Sequence, residues 1–404
     1  MIKNIFSQDI KTEKEAIVTP KVPIEEYSAL ISSQVSEEAV SKGKKFADEI
    51  TERFVANFEQ TEEDVKKGRA PIKDLMVHVS TFKVINDVIY MTYYANVKEA
   101  KEDPNNQIAR LVYCPVDNPD DKTFIDLQSV GDMCYGKKVT LLYDTILMQK
   151  DSDTIYILWT AKIEDNYYRL YRSFTISTKT LGDVMVNRFK VGDIVNDFST
   201  TGIQTALTEN GIGYKEMFSD IGIMQKLSTR TENGVTYYYT GAYSGDFTCI
   251  IKSTDLITWE YVSEPDFKNE SIWENATYVI GDKCFYFVRQ HDPESKYGFL
   301  TTYDLVNKKW ETPVLIEDCQ SRSDFIIYND DLYLFHAPID REHIGIVKIN
   351  TENISESTVV LQAKMNTSCF YPFIQYFKDN GLAMSYTDDR KHITLAEFDL
   401  GKYL

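Results

Sequence analysis

The chain has 404 residues, 43% hydrophobic and 26% charged, with 27 tyrosines and 21 phenylalanines. A formal charge of -18 argues against a nucleic-acid backbone or an anionic membrane surface as partner, and no apolar run is long enough to cross a bilayer. It does not exclude an anionic sugar, because a local cluster of arginines can bind one within a negative molecule.

The aromatic content favours strands over a helical bundle. Six cysteines (Cys114, Cys134, Cys249, Cys284, Cys319, Cys369) are dispersed without metal-ligand spacing and read as reduced, buried apolar residues. Residues 1–9 contain no secretory h-region, which predicts a cytoplasmic protein, or a secreted one if a leader has been trimmed.

Residues 1–35, with Pro20 and Pro23, read as an extended arm. From Ser36 the pattern becomes helical. Ser36 can cap, Glu37 and Glu38 suit the first turn, and Phe46, Ile50, Phe54 and Phe58 recur every four residues. Thr61 with Glu62, Glu63 and Asp64 restarts a short helix that Gly68 and Pro71 end. So narrow an apolar stripe predicts a helix covering one flank of the main domain, with a dimerisation element as the alternative. Oligomeric state is not legible. The division is residues 1–71, arm and amphipathic helix, and residues 72–404, the main domain.

Six segments of the main domain share one form: strand, polar turn, aromatic strand. They span residues 83–94, 149–159, 231–239, 279–287, 327–335 and 376–386. Their turn markers Asn86, Asp153, Asn233, Gly281, Asp330 and Asn380 fall 67, 80, 48, 49 and 50 residues apart. Third strands follow at residues 247–252, 297–303, 343–349 and 391–398. A period near 50 built on hairpins predicts an all-β, six-bladed β-propeller, with five blades as the alternative, carrying an N-terminal helical segment.

The most informative hairpin is residues 273–290. Glu274 opens its first strand and Arg289 closes its second, so the two meet at one end of the sheet. Further polar residues open other units: His78, Asp144, Arg322 and Tyr371. Each also has a structural reading, as a rim ion pair, a core aromatic or a solvated turn residue. Neither His78 nor His291 has a partner at metal-ligand spacing.

Ser253-Thr254-Asp255-Leu256-Ile257-Thr258-Trp259 resembles a degenerate Asp-box, the turn of sialidases and related propellers, one residue short and without its glycine. Residues 302–310, ending in Trp310, form a second relic. On these turns and on the order of the polar residues, the chain resembles the sialidase (neuraminidase) superfamily over residues 72–404.

The resemblance implies a retaining glycoside hydrolase of carbohydrate, needing no metal or other cofactor. Glu274 would activate a nucleophilic Tyr371, Asp103 would be the acid/base, and Arg289 and Arg322 would hold the sugar; His78, at the place of another family arginine, and Asp144, a rim carboxylate read from its own position, are further candidate binding residues. The first arginine of that family falls at His78, which lacks the bidentate fork for a carboxylate. That departure weakens the expectation of sialic acid itself relative to a related glycoside. Two alternatives remain: a carboxylate-only glycosidase resembling five-bladed families, and a propeller that binds carbohydrate or protein without catalysis.

Overall fold

A computed structural model describes residues 27–52, 54–213, 221–244, 247–265, 272–290, 296–319, 321–378 and 381–404. The expected arm up to residue 26, His291 and the turn marker Asn380 lie outside these residues. The chain is a β-propeller, 56% strand and 12% helix, with five blades counted. Five is the alternative count expected from the sequence rather than the first one, six, and the strands of the described residues fall into six hydrogen-bonded sheets.

Each sheet is built on one of the six hairpins. The first runs Met76–Ile85, Val88–Asn96, Gln107–Pro115, Thr123–Ser129, and the second begins Lys137–Gln149, Thr154–Ile163, Asn166–Thr175. The third is irregular, because its inner position is divided between Gly222–Ile223 and Ser228–Glu232, both paired to Val235–Ser244. The fourth holds Ile272–Ile280, Lys283–Gln290, Tyr297–Asp304 and Val314–Glu317. The fifth is Asp324–Tyr328, Asp331–His336, His343–Ile349, Thr358–Lys364, and the sixth contains Phe370–Phe377, Gly381–Asp388, His392–Phe398.

The turns follow from residues that tolerate a left-handed backbone. Asn86 and Asp87 have φ of 52° and 59°, Asn233 and Gly234 have 50° and 81°, and Asn329 and Asp330 have 49° and 66°. Two consecutive positive φ values match the twist of the flanking strands. The long interval between the second and third hairpins is filled by strands Arg188–Val191 and Ile194–Asp197 and the helix Thr200–Glu209. The first of these strands pairs in parallel with Thr258–Ser263 and widens the third sheet.

At Asp255 the carboxylate Oδ1 accepts from the backbone N–H of Ile257 (2.8 Å) and Thr258 (2.7 Å), while Leu256 takes φ of 64°. At the second such turn Asp304 Oδ1 accepts from Val306 and Asn307, both at 2.8 Å, and Trp310 Nε1 donates to Ser263 Oγ of the third sheet at 2.9 Å. Through Trp310 the second turn ties the fourth sheet to the third.

The N-terminal segment is woven into the ring. Ala29–Leu30 pairs in parallel with Val314–Glu317, and Phe54–Asn57 pairs antiparallel with His392–Phe398. The sixth sheet therefore takes its outer strand from before the first. The helix spans Glu37–Glu52, with Ser36 Oγ accepting from Ala39 N–H at 3.1 Å. It ends short of Phe54, which the periodicity had assigned to it. The backbone at 54 is bonded into the last sheet, and that pairing overrides helical spacing.

The helix covers the flank of the fifth and sixth sheets, burying Phe46, Ala47 and Ile50 there. The short helix Glu62–Lys66 carries a reciprocal cap between Thr61 and Asp64. All six cysteines are free, five of them buried and Cys319 half-buried.

Candidate active site

Residues from all six sheets and their loops converge in one cavity. The inner strands of the first, second, fourth and sixth sheets each break register near the same end, between His78 and Thr81, Tyr143 and Ile146, Ile272 and Asn275, and Phe370 and Phe373. Such bulges re-aim a side chain. Val79 (φ 52°), Asp144 (φ 53°) and Tyr371 (φ 55°) sit at three of them in the left-handed region, which costs of order 1–3 kcal/mol for a residue with a side chain.

The cavity, about 340 Å³, is lined among others by Glu102, Asp144, Glu274, Tyr371 and the arginines 289, 322, 341 and 390. Four guanidiniums thus face three carboxylates in a molecule of charge -18. At the centre is Glu274, buried with 4% exposure. Its Oε2 accepts from the Tyr371 phenol at 3.1 Å and from Arg289 Nε at 2.8 Å. Its Oε1 accepts from Arg322 Nε at 2.9 Å and also from Arg322 Nη2.

Arg322 Nη2 pairs in addition with Asp144 Oδ1 at 2.8 Å, and Asp144 Oδ2 accepts from the buried Arg169 Nη1 at 3.0 Å. The guanidinium of Arg322 lies 4.9 Å from the Tyr371 ring centroid. Tyr243 and Trp273 pack beside this network with ring centroids 5.6 Å apart.

The electrostatics follow from this packing. Burial alone would push the Glu274 carboxyl up, but Arg322 and Arg289 overcome it and hold it at about 2. Burial, reinforced by the Glu274 charge, pushes the Tyr371 phenol up to about 12. The pair is therefore a carboxylate hydrogen-bonded to a neutral phenol. The phenol is the resting form, since both burial and the neighbouring carboxylate oppose its ionisation.

Glu274, Arg289, Arg322, Tyr371 and Asp144, all named from sequence, are brought together here. Two expectations are not met. Asp103 is absent from the lining residues. It caps the short helix Pro104–Asn106, accepting from Asn105 N–H at 3.1 Å and Asn106 Nδ2 at 2.8 Å. The Asn105 hydrogen bonds lower its carboxyl, the wrong direction for a proton donor at neutral pH. Its neighbour Glu102 reaches the cavity instead, accepting from Tyr94 Oη at 2.6 Å and Arg390 Nε at 2.8 Å.

His78 also stands behind the lining. It is 2% exposed, with its ring 4.6 Å edge-on from Tyr371 and Nδ1 3.2 Å from Thr387 Oγ1. Burial, and then Arg390, Arg341 and Arg322, hold its pKa well below the usual value, so the imidazole is neutral. Sequence reasoning missed Glu102, Arg341 and Arg390. The last two sit in loops after the repeated hairpins, where no pattern marked them.

No known protein-family profile matches the chain, and no curated protein does so by sequence. Solved structures do. A NanB structure with optactamide superposes with a TM-score of 0.54 at 9% identity, over 88% of this chain and 72% of that one. A Trypanosoma rangeli sialidase bound to the inhibitor DANA gives 0.56 at 14% identity, over 81% of this chain and 55% of that one. The fold is the β-propeller of these two structures. At such identities the likeness extends to the fold alone, and the chain spans little more than half the length of the second relative.

Proposed function

We propose that this protein is a retaining glycoside hydrolase of sialidase-like type, acting on a terminal sugar of acidic character, with Tyr371 as nucleophile. The observation that carries the reading is the 3.1 Å hydrogen bond from the Tyr371 phenol to a Glu274 carboxylate, which Arg289 and Arg322 keep ionised. A neutral phenol meets less repulsion from an anionic sugar than a carboxylate would. As the Tyr371 oxygen bonds to the anomeric carbon, the glycosidic C–O bond breaks, the phenol proton passes to Glu274 and the leaving oxygen takes a proton from the acid/base. Proton transfer to Glu274 is the activation a weak nucleophile needs, and water then displaces the tyrosine. The turns at Asp255 and Asp304, read as relics of the Asp-box, support the same kinship.

Glu102 takes the acid/base role first given to Asp103. Of the cavity carboxylates outside the Glu274–Tyr371 pair, Asp144 is locked between Arg169 and Arg322, whereas the Glu102 side chain is 32% exposed and open to solvent. In the rival reading, a carbohydrate-binding propeller without catalysis, the ion pairs around Glu274 serve only to shape the pocket. Their tight, two-nitrogen geometry favours it.

Turnover of a panel of aryl glycosides, including a sialoside and a glucuronide, separates the two. Hydrolysis with retained anomeric configuration is expected, and Tyr371→Phe should lower kcat at least about 1000-fold, on the scale of a lost nucleophile, with the fold intact by circular dichroism. A cleaved substrate with full activity in Tyr371→Phe would exclude tyrosine catalysis. Sugar binding with no turnover would establish the binder.

A further inference from the structure

Behind the cavity wall stands Arg169, on the second sheet's strand Asn166–Thr175 and absent from the lining residues. It faces Thr160 across the sheet, and Thr160 faces Tyr143, so its side chain reaches the inner strand past the middle one. The buried Nη1 lies within hydrogen-bond reach of the Asp144 carbonyl (2.6 Å), Asp144 Oδ2 (3.0 Å) and Thr160 Oγ1 (3.0 Å). Its Nη2 donates to the Ile223 carbonyl of the third sheet at 3.3 Å. One guanidinium thus grips Asp144 by main chain and side chain together, where the backbone is left-handed (φ 53°). Such a backbone persists only when its surroundings over-determine it.

From Asp144 the charges alternate. Asp144 Oδ1 pairs with Arg322 Nη2 at 2.8 Å, Arg322 Nε donates to Glu274 Oε1 at 2.9 Å, and Arg289 Nε donates to Glu274 Oε2 at 2.8 Å. From Arg169 to Arg289 the order is cation, anion, cation, anion, cation, and all five side chains are buried. Burial opposes the charge on Arg322, and Asp144 with Glu274 outweighs it. Arg322 Nη2 serves both carboxylates, so the two compete for one nitrogen. An Asp144 held by Arg169 leaves Arg322 on Glu274. Without Arg169, the buried Asp144 would have Arg322 as its remaining cation and would draw it away.

We propose that Arg169 is a positioning residue for the Glu274–Tyr371 pair: by holding Asp144 it keeps Arg322 on Glu274, and so keeps Glu274 aligned to take the Tyr371 proton. The inference rests on the hydrolase reading for the step that is served. The chain of charges itself exists without substrate, and an apolar side chain at 169 would fill the space without completing it.

The test compares the full-length protein with Arg169→Gln and with the double variant Arg169→Gln, Asp144→Asn. Two quantities are read: turnover of an aryl glycoside that the unmodified protein cleaves, and the Arg322 Nε–H proton resonance without substrate, assigned by its absence from Arg322→Lys. Arg169→Gln should lower kcat at least about tenfold with KM within about threefold. The resonance should move upfield and exchange faster with water, as its charge-assisted bond to Glu274 weakens. The double variant removes both partners of one ion pair, so it should recover at least about threefold in kcat and return the resonance towards its original place. A residue that only fills space would not be rescued by a second substitution beside it.

Should Arg169→Gln fail to fold, Arg169→Lys is read in its place. Its single ammonium cannot grip the Asp144 carbonyl and carboxylate as the fork does, and smaller changes in the same directions are expected. Unchanged kcat, an unmoved resonance, or a double variant no better than the single one overturns the positioning role. A resonance that moves and recovers in a protein hydrolysing no glycoside would instead overturn the hydrolase and leave the coupling of Arg169 to Glu274 standing.

Discussion

At the scale of single residues, the cavity is a set of charges whose protonation depends on one another. Glu274 shows the consequence for pH. Its carboxyl sits at about 2 in the fold against a free value of 4.5. A depressed acid contributes stability that is fully present above 4.5 and is lost as pH falls towards 2. Asp324 acts with opposite sign in another window: burial raises it from 3.8 to about 6, so it favours the fold as pH drops from 6 to 3.8.

Urea unfolding followed from pH 7 to pH 3 should therefore show a steep loss of stability only below about 4.5. Glu274→Gln should be less stable at pH 7 by about 3–5 kcal/mol, the cost of leaving buried cations without their counter-ion, and its curve should flatten below pH 4.5. Parallel curves for the two proteins would refute the assignment. The one-residue exchange of Asp103 for Glu102 belongs to this scale too. Both are acids of one loop, adjacent in sequence, and the backbone path selects which one faces the cavity.

At the scale of elements, the hairpins and the helix were legible, and their junctions were not. Paired Asn, Asp and Gly residues specified the turns because only they enter the left-handed region cheaply. The helix and its Ser36 cap could be read from spacing, yet Phe54 left the helix for a strand, because pairing with His392–Phe398 outweighs a local period.

Gly43 records how closely the helix docks. A Cβ there would overlap the backbone carbonyl of Gln362 on the outer strand of the fifth sheet. Gly43→Ala should therefore destabilise the protein by about 1–3 kcal/mol, as overpacking does, although alanine is the better helix former by about 1 kcal/mol. Chemical denaturation gives the sign directly. A stabilised variant would mean that the helix is not seated on Gln362.

At the scale of the whole molecule, the ring is held across its interior as well as around its rim. Lys226, in the third sheet's segment, pairs with Asp324 of the fifth at 3.0 Å and donates to the carbonyl of Ile374 in the sixth. Lys83 of the first donates to Gln375 Oε1 of the sixth at 2.9 Å. The third and fifth sheets are not neighbours and can meet only through the middle, so the Lys226 bonds tie the ring across its interior, while the Lys83 bond joins its first and last sheets where the ring closes.

Lys226→Met should cost about 3–5 kcal/mol, because it leaves the Asp324 carboxylate buried without its partner. Adding Asp324→Asn should recover part of that loss, and a double-mutant cycle on unfolding free energies measures how much. Strict additivity would show that the two groups do not act as a pair.

The sequence by itself determined the repeating hairpins, the all-β ring and five residues of its centre: Glu274, Arg289, Arg322, Tyr371 and Asp144. These are properties of local pattern. Turn chemistry and strand alternation are written within a few residues, and the polar residues recur at the openings of successive units. The tertiary structure decided which loop acid turns inward, where the helix stops, why His78 is neutral, and that Arg341 and Arg390 share the cavity. Each of these depends on atoms from different sheets competing for the same few ångströms, and such competition leaves no mark in the order of residues along the chain.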